Sequence, residues 1–164
     1  MSLGVHFALT AAQLKKLHAL EGDDDGILEF MSEVEEKWDR AWLVETDKSW
    51  DAMHRALTNG KLTFASGKKY APLGFTILGG ASLVDDEDET VVLLEPAQVA
   101  DAAAALNGVT EAEFRGWYFK RCKGYAPEFG EEDCAYTWSN LEDVRVFFAK
   151  AAKAKRAVVF AVSA

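Results

Sequence analysis

The chain has 164 residues, 49% of them apolar, with five Trp and ten Phe; this suits one domain with a sizeable core and excludes a disordered chain. Its formal net charge of −9 argues against a nucleic-acid backbone or an anionic membrane surface as the main partner, since both need a basic footprint. No apolar stretch approaches a membrane span, no signal-peptide pattern opens the chain, and Cys122 and Cys134 fit neither a metal spacing nor C-x-x-C, so the expectation is a cytoplasmic protein with reduced thiols.

From the N-terminus, Met1-Ser2-Leu3 reads as a cloning remnant and residues 4–163 as a single domain. Val5 to Leu9 reads as a first strand. Thr10 and Gln13 form a capping-box pattern. The helix they open carries Leu14, Leu17 and Leu20 on one face and ends near Gly22. Asp23, Asp24 and Asp25 are consecutive, whereas calcium loops place ligands at alternate positions. They suit a helix start, where a carboxylate meets the positive end of the dipole. Ile27, Phe30, Met31, Val34 and Trp38 then keep a helical period, with Glu29, Glu33 and Glu36 opposite.

Ala41 to Gly60 is the most informative stretch. Trp42, Leu43 and Val44 read as a short buried strand. Asp47 is placed to cap the following helix. Trp50, Met53, His54 and Leu57 recur at spacings of three and four, so they share one face. Asn59-Gly60 supplies a left-handed stop. Asp47, Trp50, Asp51 and His54 thereby gather within two turns as a candidate ligand pocket. Trp50 would be one wall, and Asp51 would orient His54 as a base. A structural role competes with this: Trp50, Met53 and Leu57 facing the core, Asp47 a cap, Asp51 paired with Arg55, and His54 bonded to a backbone carbonyl.

Lys61 to Tyr70 is polar and reads as irregular. Ala71-Pro72-Leu73 can open a short helix. Gly74 to Gly80 lacks the Lys and Ser/Thr of a phosphate loop and reads as a tight turn beside the core. Asp85 to Glu89 reads as a solvated acidic loop rather than a metal site. Thr90 to Glu95 is the strongest strand signal. Pro96 starts an Ala-rich helix that Asn107-Gly108 ends. Thr110 and Glu113 box the start of a helix bearing Phe114, Trp117, Tyr118 and Arg121 on one side. Cys122 lies between Arg121 and Lys123, but helical neighbours point apart, so it reads as an ordinary thiol. Tyr125 to Tyr136 reads as a long loop; Tyr125, Phe129, Tyr136 and Trp138 either cover the end of the core or form a partner patch. Ser139 and Glu142 look like the capping box of the last helix, which carries Leu141, Val144, Phe147, Phe148 and Ala151. Ala157 to Val162 reads as a closing strand. The expected architecture is α+β: a small mixed sheet of about four strands packed with about six helices.

Asp47-Lys48, Trp50-Asp51, His54 and Leu57-Thr58 resemble the D-K-x-W-D-x-x-H-x-x-L-T signature of the YfbM-like family, a set of uncharacterised bacterial proteins classed as a domain of unknown function. Pro72-Leu73 with Leu78-Gly79-Gly80 resembles that family's P-L-x-x-x-x-L-G segment. The resemblance implies a small α+β fold and carries over no reaction, cofactor or catalytic residue. No nucleophile, nucleotide or metal motif is present in the chain. The leading functional expectation is therefore a non-enzymatic cytoplasmic binding protein without a cofactor, inhibitory or regulatory toward a basic protein partner, with a homodimer as a further possibility. The alternative is a small-ligand-binding or hydrolase-like domain with its pocket at Asp47, Trp50, Asp51 and His54.

Overall fold

A computed structural model describes residues 2–163. Met1, part of the stretch read as a remnant, lies outside the described residues. The strands are β1 (Gly4–Leu9), β2 (Leu43–Asp47), β3 (Ala81–Ser82), β4 (Glu89–Leu94) and β5 (Ala157–Ser163). They form one sheet in the order β2-β1-β5-β4-β3, and every pair is antiparallel. The last strand therefore lies at the centre. Its run Ala157 to Val162 is buried throughout, the pattern of a strand covered on both faces. β1 and β4 flank it in register, with Gly4 opposite Val162 and Leu94 opposite Val158.

Alternation along the strands feeds two cores. Ala8, Val92, Val158, Phe160 and Val162 face a layer made of α3 (Trp50–Leu57), α5 (Pro96–Asn107), α6 (Glu111–Arg121) and α7 (Glu131–Lys153). Phe7, Val91, Leu93, Val159 and Ala161 face α1 (Ala11–Ala19) and α2 (Asp24–Lys37). α4 (Phe64–Lys69) completes the seven α-helices of the described residues. The capping boxes at Thr10 and Thr110 form as read. Asp23 caps α2 by accepting from the Gly26 N–H at 3.0 Å.

The structure corrects the sequence reading in four places. Among the described residues the sheet is antiparallel throughout rather than mixed; beside the four strands expected stands β3, which has only two residues, too short to leave a periodic signal. β2 is an edge strand whose Leu43 and Val44 are only half buried. Trp42 precedes it in a 3-10 turn, with Lys150 Nζ 4.2 Å and the Arg156 guanidinium 3.6 Å from its ring centroid. Lys61 to Tyr70 is not irregular but contains α4, capped by Thr63, whose hydroxyl accepts from the Ser66 N–H at 3.0 Å. Finally, α7 starts at Glu131, eight residues before Ser139. Glu131, Glu132 and Asp133 fill its first turn, where the dipole favours acids. Ser139 is interior to this helix, and the loop before it ends at Gly130.

Two backbone contacts fix the turn beside α4. Added to Gly74, a Cβ would lie 1.9 Å from the Gly67 carbonyl oxygen; added to Gly79, it would lie 2.4 Å from that of Gly74. Three glycines thus pack backbone against backbone, and Gly79 belongs to the P-L-x-x-x-x-L-G-like segment.

Candidate functional site

The four residues read as a pocket are held by different partners. Asp47 ends β2 in the left-handed region, with φ 50°, and its carboxylate accepts from the Tyr136 hydroxyl of α7. It does not cap α3. That position belongs to Ser49, whose hydroxyl instead donates to the Thr46 carbonyl at 2.5 Å. Trp50 is half buried. Its indole N–H donates to the Ser2 carbonyl at 3.2 Å, and its ring lies 5.9 Å from that of Phe160. Asp51 accepts from Arg55 Nε at 2.5 Å, one helical turn on. Arg55 also donates to the Gly60 carbonyl at 3.2 Å, so the pair braces the left-handed exit of α3.

His54 is buried, at 1% exposure. Its Nε2 lies 3.1 Å from the Thr63 carbonyl and 3.0 Å from Ser66 Oγ. A carbonyl only accepts, so Nε2 carries the proton. The ring therefore ties α3 to the first turn of α4. Nδ1 is left buried with no partner among the described residues. Burial pushes the imidazole down to about 4, against a weaker opposing pull from the Thr63 carbonyl. Asp51 and His54 are not brought together.

The remaining candidates also settle into packing. Cys122 is fully buried, its thiol 3.6 Å from the Ala52 carbonyl oxygen; burial pushes its pKa up to about 12 despite Arg55 nearby. Both cysteines are free. Phe129 stacks on Tyr118 at 5.2 Å. The Tyr118 hydroxyl donates to Asp133 at 2.6 Å and accepts from the Gly130 N–H at 3.2 Å, which anchors the start of α7. Trp138 is buried and sits 5.6 Å from the Phe114 ring. These aromatics close the end of the core.

A concave surface lies elsewhere, between the α1–α2 turn and the β3 edge of the sheet. It is a groove of about 550 Å³. Leu17, Ile27, Leu83 and Leu93 supply its apolar wall, and His18, Glu21, Ser82 and Glu95 its polar groups. His18 Nε2 lies 2.5 Å from Glu95 Oε1, both side chains being about half exposed. Two residues beyond groove-lining Gly22 and Leu83, Asp24 accepts from the Asp85 N–H at 3.2 Å. This contact joins the acidic run of residues 23–25 to that of residues 85–89. Asp86 shapes the second run by accepting from the N–H groups of Asp88 at 2.7 Å and Glu89 at 3.1 Å. Partial burial, and then the neighbouring Glu89, holds the Glu35 carboxyl above its ordinary value. Among the described residues, no group of three or more His, Cys, Asp and Glu is arranged to hold a metal ion. Sequence reasoning met each acidic run separately. It had no signal for their meeting, which joins residues 61 apart.

A family model described as a domain of unknown function, DUF1877, matches residues 1–161. Among solved structures the chain is similar to a protein of unknown function, YfbM from Escherichia coli. The identity is 18%, the match covers 98% of this chain and 99% of that one, and the TM-score is 0.71. That likeness is one of fold. No curated protein matches.

Proposed function

The chain belongs to the DUF1877 family, a domain of unknown function, and we propose that it is a non-enzymatic cytoplasmic protein that binds a basic protein partner on the acidic face beside the β3 groove. The observation that carries this reading is the Asp85–Asp24 contact, which makes one surface of two acidic runs next to an apolar groove. A concentrated field of one sign raises the local concentration of an oppositely charged partner and speeds its encounter. The net charge of −9 agrees in sign. The internal bonding of Asp51 and His54 supports a structural part for the α3 residues. No described helix is long and apolar enough to cross a membrane.

Fluorescence anisotropy with a labelled Lys/Arg-rich peptide tests the proposal. Glu87→Lys with Asp88→Lys, which leaves the Asp86 carboxylate to hold the loop, is expected to weaken binding by about tenfold or more, close to 1.4 kcal/mol. Glu142→Lys with Asp143→Lys makes the same charge change at exposed positions of α7 and is expected to cost no more than about threefold. Equal losses would place the effect in net charge alone and overturn the assignment to this face.

A further inference from the structure

We propose that the partner binds through an extended basic segment, which adds as a further strand to the open edge of β3 and lays alternate apolar side chains into the groove; this rests on the acidic-face reading above. β3 is the last strand in the sheet order, and Ala81 and Ser82 are both exposed. Ala81 lies opposite Leu93 and Ser82 opposite Val92, and the Leu83 N–H donates to the Val91 carbonyl at 2.9 Å. In an antiparallel ladder the residues that bond to the neighbour alternate with residues whose N–H and C=O point the other way. Residues 81 and 83 bond inward, so the Ser82 backbone points outward, to the open edge. An added strand needs those groups.

The surroundings fit one kind of strand. Leu17, Ile27, Leu83 and Leu93 line the groove beside this edge, a receptor for every second side chain of an extended segment. Glu21 and Glu95 border the groove and the two joined acidic runs continue beyond it, so the segment is best served by lysines, whose long stems reach round the open edge from the intervening positions. The opposite edge of the sheet is different. Beside β2, Lys150 and Arg156 stand over Trp42 and Arg40 lies 3.9 Å from Glu45, cations that repel a basic segment. A second copy of this chain is disfavoured at β3, because it would bring another pair of acidic runs to the same edge. The occupant is therefore a segment of a different, basic protein.

The test uses the full chain and a synthetic peptide of about seven residues alternating Lys with Val and Leu, near the usual strand length. At saturation, the solvent-exchange rate of the Ser82 amide, read by magnetisation transfer from water, is expected to fall at least about tenfold. The same peptide N-methylated at alternate residues keeps charge and apolar content but cannot complete the ladder, and it is expected to bind at least about tenfold more weakly. Salt-sensitive binding with unchanged Ser82 exchange and no penalty for N-methylation would overturn strand addition and leave the acidic-face reading standing. Failure of the unmethylated peptide to bind would overturn both.

Discussion

Lowering the pH from 6.5 to about 4 is expected to remove several kcal/mol of stability, through His6 and His54. Both are fully buried. His6 Nε2 donates to the Thr76 carbonyl at 2.7 Å, while its ring packs 4.7 Å from Phe160 and 5.7 Å from Phe148. Its Nδ1, like that of His54, has no partner among the described residues. Protonating either Nδ1 would place a charge in the core with nothing to accept its hydrogen. Burial accordingly lowers both from 6.5 to about 4. Between those values the unfolded chain binds protons that the native chain refuses, so stability falls as pH falls. It is complete above pH 6.5 and levels off below about 4 as far as these two groups are concerned. The loss is at most roughly 3 kcal/mol per histidine. Urea denaturation at several pH values between 7.5 and 4 checks this, and the span from 6.5 to 5 isolates the histidines from most carboxylate titration. His6→Gln and His54→Gln should each flatten the slope there. A wild-type stability that stays level across that span would contradict the account.

Gly74→Ala is expected to cost about 3 kcal/mol or more, the upper end for overpacking. The added Cβ would lie 1.9 Å from the Gly67 carbonyl oxygen and 2.7 Å from its carbon. Both are backbone atoms, so relief requires α4 and the Leu73–Thr76 turn to separate. Gly116→Ala is the internal control. Gly116 lies inside α6, and a Cβ there meets nothing within 4 Å. That change should stabilise by about 0.5–1 kcal/mol, because alanine loses less backbone entropy in a helix. Chemical denaturation of the two variants beside wild type decides the matter. A Gly74→Ala protein within about 0.5 kcal/mol of wild type, the range of neutral surface changes, would mean that the glycine contact does not constrain the fold.

The sequence was most informative where local chemistry decides the structure. Thr10 with Gln13 and Thr110 with Glu113 capped their helices, and Gly60 took its positive φ of 85°. The apolar runs at Thr90 and Ala157 became strands, and the α+β class followed from them. What failed was tertiary. Strand direction depends on which faces pair, and no local pattern records that. The start of α7 was hidden because Gly130 offers no side-chain cap, while Ser139 and Glu142 imitate one inside the helix. The cap of α4 was visible only as Thr63 and Ser66, without the Glu or Gln that makes a box. At the candidate site, Asp51 had two partners within reach on its own helix, His54 and Arg55. The guanidinium took the carboxylate at 2.5 Å, and His54 turned inward to Thr63 and Ser66. The groove was not legible at all, since Leu17, Ser82 and Glu95 meet there only once the sheet has formed.

Amide chemical-shift mapping during titration with the alternating Lys peptide tests the central claim most directly. The account predicts that the perturbed amides cluster at residues 18–25, 81–89 and 93–95, with those of Trp50 to Leu57 unmoved. Perturbations centred on Trp50, Asp51 and His54, or none at saturating peptide, would contradict it.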